Sequence, residues 1–256
     1  MAQIFVNKIM KKNTNAIRSI FSQTIFLFAL VILFSCSKKN SVAQTTITPD
    51  PIVTNDTGKT YLALGDSYTI GQSVSAGERF PNQTKDILKL QNITVASPQI
   101  IATTGWTTRN LIDALNANPP QNNFGVVSLL IGVNNQYQHK NIDEYKTEFT
   151  ELLNRSIQYA AGKPTHVFVL SIPDYSVTPF AAGADTATIA REIDQFNAAN
   201  KTISLQLGVN YLDITPISRE AKNDPSLIAG DGLHPSGKQY KRWADLLAPL
   251  MKNVLQ

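Results

Sequence analysis

The chain is poor in the residues that carry most redox and metal chemistry. It has one cysteine, Cys36, and three histidines, His139, His166 and His234, in 256 residues. A single cysteine cannot close an internal disulfide, and no Cys/His cluster has the ligand spacing of a zinc site. The phosphate-cradling pattern Gly-x-x-x-x-Gly-Lys is absent. Acidic residues are missing from positions 1–35, which hold four basic ones, leaving 19 of each sign in the remainder. The formal charge of +4 therefore belongs to the N-terminal segment. Nothing in the rest marks a nucleic-acid footprint. The expected chemistry needs no metal, no cofactor and no nucleic acid.

What is present begins with the N-terminus. Lys8, Lys11, Lys12 and Arg18 precede an unbroken apolar run of ten residues from Ile25 to Phe34. That run is shorter than the roughly 20 residues a membrane-spanning helix needs. It closes on Leu33-Phe34-Ser35-Cys36: an aliphatic residue, a small residue next to the cysteine, then the cysteine itself. Residues 1–35 read as a signal peptide. The box resembles those of bacterial lipoproteins, which implies lipidation of Cys36 and a membrane-anchored envelope protein facing the periplasm or the surface. A plain secretory signal, or an anchor that merely contains a cysteine, is the alternative. From Cys36 to residue 59 the chain is rich in Ser, Thr, Asn and Pro and has no periodicity, the pattern of a flexible tether. Residues 60–256 form one stretch of a size normal for a single domain.

That domain alternates short apolar runs with helical patterns. Strands are expected over 60–64, 93–102, 125–131, 166–172 and 209–213. Helices are expected over 80–90, 108–116, 142–161, 186–207 and 237–254. Ile142, Tyr145, Phe149, Leu152, Leu153 and Ile157 share one helical face, with Asn141 as N-cap and Glu144 three residues on. Ile189, Ile193, Phe196, Ile203 and Leu207 share another, which Gly208 ends. Trp243, Leu246, Leu247 and Leu250 form the inner face of the last helix. These stripes are core rather than cofactor contacts. Strand–helix alternation predicts a parallel sheet covered on both faces, with ligands beyond the carboxyl ends of the strands. Ser67, Gly105 and Asn134, each after a different strand, would then share one rim.

Two short motifs stand at opposite ends of this domain. Gly65-Asp66-Ser67 follows the apolar run Tyr61-Leu62-Ala63-Leu64, and Asp231-Gly232-Leu233-His234-Pro235 precedes the last helix. A serine hydroxyl becomes a nucleophile when a base takes its proton. A neutral imidazole is the usual base, and a carboxylate fixes its tautomer. Ser67 could instead simply cap a helix, and Asp231 and His234 could be an ordinary turn before one. His139, in a polar loop, and His166, after Pro164, have blander settings. The Gly-x-Ser-x-Gly elbow of α/β-hydrolases is absent, because Thr69 stands where its second glycine belongs. Acyl transfer also needs donors for the developing oxyanion. The Ser67 N–H, Gly105 in Thr104-Gly105-Trp106-Thr107, and Asn134 in Gly132-Val133-Asn134-Asn135 are the candidates, although an Asn-rich loop after a strand is most often a turn.

Together the four pieces resemble the SGNH/GDSL hydrolase family. The resemblance covers the whole domain and rests on Leu64-Gly65-Asp66-Ser67-Tyr68-Thr69-Ile70-Gly71, Gly105, Gly132-Val133-Asn134 and Asp231-Gly232-Leu233-His234-Pro235, in that order. It implies a flavodoxin-like three-layer α/β/α sandwich on a five-stranded parallel sheet. It further implies Ser67 as nucleophile, His234 and Asp231 as the rest of a triad, and Ser67, Gly105 and Asn134 as the oxyanion hole. The chain departs from the family's frequent Gly-x-Asn-Asp at one point: Asn135 stands in place of the Asp, keeping hydrogen-bonding capacity without the charge. A histidine base makes activity fall as acid protonates the imidazole.

The family's substrates run from lysophospholipids and thioesters to aryl esters and acylated carbohydrates. A lipid-anchored enzyme lies near both phospholipid and envelope glycans, so a lysophospholipid-type or an acylated-carbohydrate substrate is expected. The loop 173–180, with Tyr175 and Phe180, should face the active rim, and Trp106, Arg109 and Tyr137 should lie near it. Trp106, Tyr137 and Tyr175 are the candidate substrate contacts. The alternative is a non-catalytic envelope lipoprotein that binds a glycan or lipid in the same pocket.

Overall fold

The computed structural model describes residues 59–256. The signal peptide, Cys36 and the tether lie outside these residues. Five parallel strands are present: β1 (Tyr61–Gly65), β2 (Gln99–Ala102), β3 (Val126–Leu130), β4 (Val167–Leu170) and β5 (Asn210–Leu212). They pair in the order β2-β1-β3-β4-β5, the flavodoxin-like order. Every residue of β1, β3 and β4 is buried. That is why these strands read as continuous apolar runs rather than as alternation. The edge strands β2 and β5 are only partly covered.

The helices are α1 (Ser67–Ile70), α2 (Phe80–Leu90), α3 (Thr108–Ala117), α4 (Val133–Tyr137), α5 (Ile142–Tyr159), α6 (Thr186–Gln206), α7 (Thr215–Arg219) and α8 (Gly237–Leu255). Right-handed crossovers place the connection from β1 to β2 on one face of the sheet. The connections that step the other way, through β3 to β5, lie on the opposite face. The contacts agree: α2 packs on α8, while α5 packs between α3 and α6. The step direction reverses at β1, so a crevice opens at the carboxyl ends of β1 and β3.

The structure adjusts several expectations. The run 93–102 is a strand only over its last four residues, because Pro98 has no N–H to give the ladder. Val95 contributes a single bridge to Lys59. Leu246 is 45% exposed and does not belong to the inner face of α8, which Tyr240, Trp243, Leu247 and Met251 supply. Asn141 caps α5 by accepting the Asp143 N–H at 2.7 Å. The short helices α1, α4 and α7 follow strand ends and are not among the expected helices; a helix of one turn is too short to show a period.

Candidate active site

Ser67 is the first residue of α1, directly after β1. The cap is Asp66, whose Oδ1 accepts the Tyr68 N–H at 3.0 Å. Ser67 therefore has no capping duty, and its Oγ makes no hydrogen bond among the described residues. Gly65 makes the turn possible: a Cβ there would overlap the Thr69 side chain and the Leu130 carbonyl. Thr69, the residue that breaks the α/β-hydrolase pattern, fills the space Gly65 leaves, and its hydroxyl reaches the Leu64 carbonyl at 3.4 Å. Asp66 is fully buried and its Oδ2 has no partner among the described residues. Burial pushes its carboxyl up to about 7, against the pull of the Tyr68 N–H and its own N–H.

The Asp231–His234 turn is built differently. Asp231 Oδ1 accepts the backbone N–H groups of Leu233 and His234, both at 3.0 Å. Its Oδ2 meets His234 Nδ1 at 2.6 Å and the Ser73 hydroxyl at 2.6 Å. Partial burial pushes this carboxyl up, but the hydrogen bonds from Ser73, Leu233 and His234 outweigh it and hold the group well below the usual carboxylate range. Facing a carboxylate, Nδ1 must carry the ring proton, which leaves Nε2 as the basic nitrogen. His234 is 7% exposed, and Tyr68 packs edge-on against its ring at 5.6 Å. Ser73 has a left-handed backbone (φ 66°), which for a non-glycine residue costs on the order of 1 kcal/mol. Sequence reading missed Ser73, because nothing around it marks a partner 158 residues away.

Ser67, Gly105, Asn134, Tyr137, Tyr175 and His234 line one cavity of about 150 Å³, together with Tyr68, Thr104, Val133, Phe180 and Leu233. Asp231 stands behind His234. No hydrogen bond joins Ser67 to His234 in this structure; catalytic contacts of this kind tighten when substrate enters. Asn134 lies in the first turn of α4, on a backbone turned at Gly132, where φ is 131° and a Cβ would collide with Tyr145 and Ile172. One Asn134 Nδ2–H goes to the Trp106 carbonyl at 2.9 Å, and an amide nitrogen has a second hydrogen to offer.

The expected substrate contacts divide. Tyr137 and Tyr175 reach the cavity and Trp106 does not: its side chain packs against the core, and its carbonyl holds Asn134. Arg109 also stays out, paired with Glu148 at 2.8 Å. Phe180 joins Tyr137 and Tyr175 in a mutual cluster with ring centroids 5.9–6.3 Å apart. The Phe180 N–H donates to the Gly232 carbonyl at 3.0 Å, so this aromatic wall is tied to the histidine turn. His139 is exposed and His166 bonds the Gly125 carbonyl at 2.6 Å; neither reaches the cavity.

No curated protein matches the sequence. The model of the GDSL-like Lipase/Acylhydrolase family matches residues 63–242. Among solved structures, TesA is similar at 16% identity with a TM-score of 0.57, over 77% of this chain and 99% of TesA. A member of the lipolytic protein G-D-S-L family from Veillonella parvula is similar at 15% identity and TM-score 0.56, over 77% and 97% of the two chains. Axe2, an acetylxylan esterase from Geobacillus stearothermophilus, is similar at 19% identity and TM-score 0.55, over 77% and 94%. At these identities the structures speak for the fold, and the family match speaks for descent. With the sheet order and the four motifs above, they place the chain in the GDSL-like lipase/acylhydrolase family, with the SGNH hydrolase fold, as a carboxylic ester hydrolase.

Proposed function

We propose that this protein is a serine esterase acting through Ser67, His234 and Asp231, on a short-chain ester of a carbohydrate. One observation carries the catalytic part. A histidine whose Nδ1 is held at 2.6 Å by an aspartate shares a small cavity with an unbonded serine hydroxyl and with Gly105 and Asn134. His234 Nε2 takes the Ser67 proton as Oγ bonds to the ester carbonyl carbon. Asp231 steadies the imidazolium that forms. The Ser67 N–H, the Gly105 N–H and the free Asn134 Nδ2–H receive the oxyanion. The ester C–O bond then breaks, the alcohol leaves with the proton from His234, and water repeats the sequence to release the acid.

Cavity size supports the acyl part of this reading. About 150 Å³ is below the roughly 300–1,000 Å³ of pockets that enclose drug-sized ligands. A space of this size suits an acetyl group better than a fatty acyl chain. The carbohydrate branch of the expected substrates is therefore preferred to the lysophospholipid branch. Tyr137 and Phe180, 53% and 49% exposed, offer aromatic ring faces at the cavity mouth for a sugar ring. Axe2, similar in fold, is an acetylxylan esterase. We place the enzyme at the bacterial envelope, anchored through Cys36, on the strength of the sequence at residues 33–36.

The test is hydrolysis of p-nitrophenyl acetate, butyrate and palmitate and of acetylated xylo-oligosaccharides by the wild type and Ser67→Ala. The expected result is serine-dependent cleavage that falls steeply from acetate to palmitate. A preference for palmitate would overturn the short-acyl reading. Equal rates for wild type and variant on every ester would overturn the catalytic one.

A further inference from the structure

The two proposed oxyanion donors outside the nucleophile turn sit on segments distant in sequence, Gly105 before α3 and Asn134 in α4. Three hydrogen bonds tie these segments together. Asn134 Nδ2 donates to the Trp106 carbonyl at 2.9 Å, the Thr108 N–H donates to Asn135 Oδ1 at 3.0 Å, and Asn135 Nδ2 donates to Thr108 Oγ1 at 2.6 Å. Thr108 is fully buried and Asn135 is 2% exposed. Behind them, the Thr108 hydroxyl donates to Glu148 Oε2. Glu148, on α5, has a side chain only 3% exposed, and its Oε1 accepts Arg109 Nε at 2.9 Å and Nη2 at 2.8 Å.

The direction of this chain of bonds is forced. A backbone N–H only donates, so the Asn135 atom facing the Thr108 N–H must be its oxygen. Its NH₂ therefore faces the Thr108 hydroxyl. That hydroxyl has one hydrogen, and an ionised Glu148 can only accept. Thr108 must give its hydrogen to Glu148 and receive one from residue 135. An amide at 135 can supply it; a carboxylate cannot.

We propose that Asn135, Thr108, Glu148 and Arg109 form a directional relay that positions the Gly105 and Asn134 donors, and that residue 135 is an amide because Glu148 already holds the relay's negative charge. The proposal rests on reading Gly105 and Asn134 as oxyanion donors. The four relay residues are positioning residues, since none of them lines the cavity. The departure at Asn135 from the family's Gly-x-Asn-Asp is thereby matched to a buried acid on another helix.

The test is a cycle of Asn135→Asp, Glu148→Gln and the double variant in the full-length protein. Each is assayed for kcat and KM on p-nitrophenyl acetate and for Tm, with Asn134→Ala alongside. Asn135→Asp sets two carboxylates on one hydroxyl hydrogen, and kcat should fall about tenfold or more, with little change in KM, as a buried acceptor goes unpaired. In the double variant Thr108 donates to the carboxylate now at position 135 and accepts from the amide now at position 148, so kcat should return to within a few-fold of wild type. Unchanged kcat in Asn135→Asp would overturn the proposal, as would a double variant no more active than that single one. A rescue of Tm without a rescue of kcat would make the network a structural tie and also overturn it. If Asn134→Ala keeps full activity, the oxyanion reading itself fails and the relay falls with it. If Asn134→Ala loses activity on the order of 10²–10³ while Asn135→Asp does not, the relay alone fails.

Discussion

Two aspartates serve this site, and their environments push them in opposite directions. Asp66 is fully buried, has one oxygen without a partner among the described residues, and has its carboxyl pushed up to about 7. Asp231 has a side chain 30% exposed, and its two oxygens take four hydrogen bonds. It is held well below the usual carboxylate range. Burial alone penalises charge at both; what separates them is the number of donors each meets. The pattern matches the proposed roles. Asp231 must stay ionised to hold the His234 tautomer, whereas Asp66 needs only one oxygen to cap α1 and set the Ser67 turn.

The comparison breaks most decisively at Asp231. Asp231→Asn turns an acceptor-only group into one that can donate to the imidazole, inverting the tautomer, and kcat should fall on the order of 10⁴. Esterase assays beside a circular-dichroism check of fold decide it; a loss under tenfold would deny Asp231 its role. Ser73→Ala removes one of the two hydrogen bonds at Oδ2. It should lower kcat/KM a few-fold, corresponding to about 1 kcal/mol for one bond. An unchanged kcat/KM would leave Ser73 as mere turn structure.

Asp66→Asn should have the smallest effect on rate, because the amide oxygen can still cap α1. Its effect is on stability. Asp66 has a folded-state pKa raised above its unfolded value, so the folded protein keeps a proton that the unfolded chain has lost. That contribution is fully present below about pH 4 and is lost as pH rises through about 7. The amide that replaces the carboxyl does not ionise, so the variant should gain on wild type between pH 5 and pH 8, read as a Tm difference of several degrees that widens with pH. A constant difference would count against a buried, proton-holding Asp66. Asp231 runs the other way: its contribution is present above about pH 4 and is lost as pH falls through its lowered folded-state pKa.

Much of this was legible in local patterns. The five long helices were readable from their 3.6-residue apolar period, and the strands from short apolar runs bounded by turn residues. The positions of Ser67, Gly105 and Asn134 on one rim followed from their placement after strands of a parallel sheet. The one-turn helices α1, α4 and α7 were not readable. The Trp106 side chain is expected near the rim, beside the loop 173–180. In the fold it turns to the core while its carbonyl serves the site.

By itself, then, the sequence determined the class of sheet, the order of its elements and the four blocks that meet at its carboxyl edge, because hydrophobic period and turn chemistry act over a few residues. Only the tertiary structure decided which side chains complete those blocks. Ser73 finds Asp231 across 158 residues, Thr108 finds Glu148 across 40, and Thr108 finds Asn135 across 27. The last two pairings depend on the strand order that brings the ends of β1, β2 and β3 together, and the first on the packing of α8 against α2; no local pattern encodes a hydrogen bond whose partner arrives only when the sheet has formed.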